Sequence, residues 1–87
     1  MKSYPHTVGL VTYYYNEKNE LHRDDGPAIE HADGYKEWWL NGKLHRTDGP
    51  AVEDTRGNKY WWINHKMLTE EEEFKRLTTR LGKALYL

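Results

Sequence analysis

The sequence predicts a mainly β (α+β) fold: an antiparallel β-meander of repeated hairpins, with a C-terminal amphipathic helix packed on one face. Three observations lead there. The phrase Leu21-His22-Arg23-Asp24-Asp25-Gly26-Pro27-Ala28 returns 23 residues later as Leu44-His45-Arg46-Thr47-Asp48-Gly49-Pro50-Ala51. The match runs on through Glu30 and Glu53, Gly34 and Gly57, and Trp38-Trp39 and Trp61-Trp62. A fixed period of this size is the mark of a repeat architecture. Short runs rich in Val, Thr, Tyr and Trp alternate with turn residues, the pattern of strands joined by hairpins. After Met67 the period changes to that of a helix.

The elements follow in chain order. Thr7 to Tyr15 reads as one strand, with Pro5 ahead of it. Asn16 to Glu20 is a polar turn, and Leu21-His22-Arg23 is a short return strand. Asp24-Asp25-Gly26-Pro27 is a turn by composition, with Gly26 expected to supply a positive φ. Ala28 to Ala32 is a strand, Asp33-Gly34 a hairpin signal, and Tyr35 to Leu40 an aromatic strand. Asn41-Gly42 asks for a two-residue type I′ turn. Lys43 to Arg46 returns, Thr47 to Pro50 turns again, and Ala51 to Asp54 and Lys59 to Ile63 close the second copy. An older, worn copy aligns Tyr13-Tyr14-Tyr15-Asn16 with Trp38-Trp39-Leu40-Asn41. Thr69-Glu70-Glu71-Glu72 is a capping box, followed by Phe74, Leu77, Leu81 and Ala84 or Leu85 on one helical stripe. The division is a single domain over 1–87: a strand and half repeat (1–20), repeat 1 (21–43), repeat 2 (44–68) and the helix (69–87).

Composition narrows the function. The chain has 87 residues, 37% of them hydrophobic and 14% aromatic, so its core is expected to be thin and aromatic. Thirteen basic residues nearly cancel fourteen acidic ones, which argues against holding nucleic acid by charge. The absence of cysteine removes disulfides, thiolate catalysis and cysteine-ligated zinc, and favours a reducing cytosol. No stretch reaches the length of a signal or membrane helix.

The repeat phrase, then Gly, then Trp-Trp-x-Asn-Gly, resembles a repeat family common in tailed phages and giant viruses. Similar phrases occur in bacteria, and the style is that of MORN-type β-hairpin repeats. The ending Trp61 to Glu72 is similar to the way those viral proteins close their arrays. The resemblance spans about residues 21 to 74, and His65 departs from it where the turn usually has Gly. It implies a phage accessory protein, active in the host cytoplasm, and no shared enzymatic activity.

Catalysis has little support, and no catalytic, cofactor or metal residue is assigned. There is one serine, and no P-loop, GxGxxG or HExxH motif. The five histidines are scattered, with no pair at ligand spacing on one element. His22-Arg23 and His45-Arg46 have two readings. Either the Arg side chains pin the turns through Asp25 and Asp48, or Glu30 and Glu53, or they form an anion site. Repetition with the fold unit favours the first.

The paired Trp are more informative, because neighbours on a strand point to opposite faces. Period two sorts Val11, Tyr13, Tyr15, Trp38, Leu40, Trp61 and Ile63 onto one face, expected to meet the helix. It sorts Tyr14, Trp39, Tyr60 and Trp62 onto the other, as either an exposed binding patch or a second aromatic core. The functional expectation is a non-enzymatic binding module that inhibits or sequesters a host protein, for example one of antiviral defence. Its candidate binding residues are Tyr14, Trp39, Tyr60, Trp62, Arg23, Arg46, His22 and His45. Two alternatives stand beside it. One is a sponge for a nucleotide-type ligand, stacked on Trp and held by Arg. The other is a structural repeat that assembles as a homo-oligomer.

Overall fold

The computed structural model describes residues 2–68. The expected helix over 69–87, with its capping box and its Phe74, Leu77 and Leu81 stripe, lies outside the described residues. The rest is an antiparallel β structure with no helix among the described residues. Nine strands form it: β1 Tyr4–Val8, β2 Val11–Tyr15, β3 Ile29–His31, β4 Lys36–Glu37, β5 Trp39–Leu40, β6 Lys43–Leu44, β7 Val52–Glu53, β8 Lys59–Ile63 and β9 Lys66–Leu68. Seven of them make one sheet in the order β1-β2-β3-β4-β7-β8-β9, and β5-β6 form a separate two-stranded ribbon. The meander is thus interrupted once, by a hairpin that leaves the sheet and returns.

Local chemistry explains the turns. Asn41 and Gly42 both have positive φ, 49° and 78°, and join Leu40 to its partner Lys43, as a two-residue I′ turn requires. The same turn recurs at Asn64 and His65, with φ of 48° and 70° between Ile63 and Lys66. There His65 adopts a backbone conformation that suits glycine. Asp33-Gly34 and Arg56-Gly57 end the longer β3–β4 and β7–β8 loops, with Gly φ of 104° and 86°.

Four sequence expectations change. The run Thr7 to Tyr15 is two strands, because Gly9-Leu10 makes a hairpin between Val8 and Val11, with Gly9 at φ 61°. A glycine inside a strand pattern was the signal for this break. Pro5 lies within β1, which its position at the sheet edge permits. The aromatic strand divides at Trp38, where the chain passes from the sheet into the ribbon. Leu21 to Arg23 forms only an isolated pairing of Leu21 with Tyr15, since its other backbone groups serve the neighbouring hairpin.

The worn first copy is also one residue out of step. Tyr14 donates to the Ala28 carbonyl and accepts from the His22 N–H, as Trp38 does with Ala51 and His45. Tyr14 therefore stands in the place of Trp38, and Tyr15 in that of Trp39. A one-residue slip turns every side chain of a strand to the other face. The register shows it: His6, Tyr13, Ile29, Glu37, Val52 and Tyr60 are successive cross-strand partners on one face. Thr12, Glu30, Lys36, Glu53 and Lys59 are partners on the other. Tyr14 thus leaves the Trp39, Tyr60 and Trp62 group, while Tyr13 and Tyr15 join it.

The buried residues lie with the Thr12–Lys59 face. Ala28 and Ala51 are completely buried, and Ile63 and Leu68 pack together, with Trp61 against them. His22 and His45 are buried with them.

Candidate functional site

Each His-Arg pair first builds the fold. His22 Nδ1 accepts the Asn41 N–H at 3.0 Å, and His45 Nδ1 accepts the Asn64 N–H at 2.9 Å. Each imidazole so ties its own repeat to the I′ turn 19 residues ahead. The neighbouring Arg locks the Asp-Gly-Pro turn. Arg23 Nε donates to Asp25 at 3.0 Å, and its Nη1 donates to the Pro27 carbonyl and to Glu30. Arg46 repeats the pattern with Asp48 at 2.8 Å, Pro50 and Glu53. The guanidinium of Arg23 lies 4.1 Å above the Tyr14 ring, and that of Arg46 lies 3.8 Å above Trp38. Burial works against the charge of Arg23, but the hydrogen bond to Asp25 and the nearby Glu30 outweigh it and raise its pKa.

This packing also explains the turn glycines. Neither Gly26 nor Gly49 has a positive φ. A Cβ on Gly26 would lie 3.0 Å from Arg23 Cζ, and one on Gly49 would lie 2.7 Å from Arg46 Cζ. The expected backbone reason is replaced by a steric one: the guanidinium rests flat against the glycine.

The other face carries the second group. Trp39 Nε1 donates to Glu37 Oε1 at 2.7 Å, and the Tyr35 hydroxyl donates to the other oxygen of Glu37. One carboxylate therefore orients an indole and a phenol together. Burial, then the hydrogen bond to Glu37, pushes the Tyr35 hydroxyl up to about 12. The exposed His65 ring is tilted against both Trp39 and Trp62, with centroids 5.9 Å and 6.1 Å away. His65 Nδ1 accepts the Leu44 N–H in a long bond of 3.3 Å. Trp39 and Trp62 are half-buried, while Tyr60 and Met67, the cross-strand partner of Trp62, are exposed.

The structure so divides the eight candidate residues. Trp39, Tyr60 and Trp62 share one face. His22, Arg23, His45, Arg46 and Tyr14 belong to the opposite one. His65 was not among the candidates, although its substitution for Gly in an Asn-Gly turn was visible in the sequence.

An open cleft of about 590 Å³ lies between the two Asp-Gly-Pro turns. Arg23, Asp24, Trp38, His45, Arg46 and Thr47 line it. Among the described residues, no cluster of three or more His, Asp or Glu is arranged to hold a metal ion. No described helix is long and apolar enough to cross a membrane. No protein-family model, curated protein or solved structure matches the chain.

Proposed function

We propose that the protein is a non-enzymatic binding module that grips a protein partner through the Trp39–His65–Trp62 face. The observation that carries this reading is the preorganised aromatic cluster. Glu37 fixes the Trp39 indole, and His65 contacts both Trp rings from a backbone conformation unfavourable to it. Strain of this kind persists where surrounding contacts over-determine it, and it clusters at functional sites. Large rigid aromatics beside polar groups have the composition of interface hot spots. The likeness of the repeat phrase to phage proteins supports a host component as the partner, in the host cytoplasm, with antiviral defence as the example.

A nucleotide-type ligand is less well supported. Each guanidinium that would meet a phosphate already faces two carboxylates, Asp25 and Glu30 or Asp48 and Glu53. Assembly through the edge strand has one observation in its favour, the exposure of all five β1 residues. Affinity capture from host extract, followed by binding measurements on the purified partner, tests the main reading. Trp39→Ala and Trp62→Ala are expected to weaken that binding by about 2 kcal/mol or more, the hot-spot range. Equal binding by both variants overturns it. Native mass spectrometry of the same preparation separates a retained nucleotide or a homo-oligomer from a heterologous complex.

A further inference from the structure

The two copies of the repeat differ at one position next to a buried polar atom. In the first copy His22 Nε2 has the Asp24 carboxylate 3.2 Å away, although not in line for a full hydrogen bond. In the second copy Thr47 stands where Asp24 would be. His45 is only 3% exposed, and its Nε2 has no hydrogen-bond partner among the described residues. Its Nδ1 accepts the Asn64 N–H, so the neutral ring carries its proton on Nε2. Burial favours that neutral form. A buried donor without an acceptor is costly and rare in native structures. His45 and Thr47 both line the cleft between the turns.

We propose that this cleft is a second binding site, in which His45 Nε2–H donates to a neutral amide carbonyl of a bound peptide-type ligand. The first copy shows the geometry, since an oxygen already stands close to the equivalent nitrogen of His22. The neutral class follows from charge. Asp24, Asp25 and Asp48 line the cleft, and Arg23 and Arg46 are each paired with two carboxylates. A further anion there is uncompensated, whereas an amide oxygen adds no charge. Trp38 and Leu40 supply an apolar wall for the rest of the ligand. Thr47 is half-buried and is the side chain that yields as the carbonyl enters. This site lies on the face opposite Trp39 and Trp62 and does not depend on the aromatic reading.

The probe is N-methylacetamide, the smallest peptide group, added to the full chain labelled with nitrogen-15 in its histidine rings. The His45 Nε2 and its proton are expected to shift along a saturating curve, while the His22 signals stay nearly still. Acetate at the same concentration is expected to leave His45 unmoved. Thr47→Asp restores the arrangement of the first copy and is expected to abolish the response. A linear drift shared by His22 and His45 overturns the proposal, as does saturation by acetate equal to that by the amide. A full response in Thr47→Asp overturns it too. The titration of the parent chain decides the matter by itself if that variant fails to fold.

Discussion

His45 Nδ1 holds the backbone N–H of Asn64 at 2.9 Å, and this bond joins the buried centre of one repeat to the turn of the final hairpin. Asn64 N–H is otherwise at the start of a tight turn whose own pairing begins at Ile63 and Lys66. Removing the imidazole deletes this bond and a buried side chain. His45→Ala is expected to lower stability by about 1–3 kcal/mol, through the lost hydrogen bond and the lost buried side chain. His22→Ala should do the same through Asn41. Urea denaturation of both variants measures it, and parent-like midpoints would remove the histidines from the scaffold.

The burial of the same imidazole makes stability depend on pH. Burial holds the His45 pKa below its ordinary value of 6.5. The unfolded chain therefore binds a proton more readily than the folded one below that pH. Stability is full above about pH 6.5 and falls as pH drops from there toward the lowered native value. His45→Gln should flatten this dependence below pH 6.5. An unchanged slope in that variant would assign the effect to another group.

Gly49 and Arg46 make a second testable pair. With Cζ at 2.7 Å from the position of a Cβ, Gly49→Ala must displace the guanidinium from its stack on Trp38. A loss of about 1–3 kcal/mol is expected from overpacking. Gly26→Ala, with 3.0 Å available, should cost less. In the double variant Gly49→Ala with Arg46→Ala, the glycine penalty should largely vanish, because the group it struck is gone. Additive losses would mean that the glycine serves the backbone after all.

His65 should separate stability from binding. Its φ of 70° suits glycine, so His65→Gly relieves strain of about 1 kcal/mol while it removes the ring that contacts Trp39 and Trp62. The melting temperature is expected to stay level or rise, and partner binding to fall. A variant that binds as well as the parent would leave the cluster without its proposed role.

At high pH the Tyr35–Glu37 hydrogen bond is the group to watch. A tyrosine raised from 10.0 to about 12 supports the fold fully below pH 10 and loses that support as pH rises toward 12. Ultraviolet titration should show a late phenol that is absent in Tyr35→Phe. If both chains titrate alike, Tyr35 is not the late group.

Much of the scaffold was written locally. The 23-residue period, the Asn41-Gly42 turn and the Arg partners Asp25, Glu30, Asp48 and Glu53 all depend on residues close in sequence, and each appears as expected. The faces of the sheet did not follow in the same way. Period two sorted the side chains within each strand, but which strand face joins which is set by the register between strands. The offset of Tyr14 onto the Trp38 position reversed β2, and only the hydrogen bonds to Ala28 and His22 show it. The meeting of Trp39, His65 and Trp62, and the lack of a partner for His45 Nε2 among the described residues, likewise arise between residues far apart in the chain. Local chemistry determined the turns, because backbone geometry and short-range bonds act within a few residues. Tertiary structure decided the sites, because the distance between two side chains depends on the register of every strand between them.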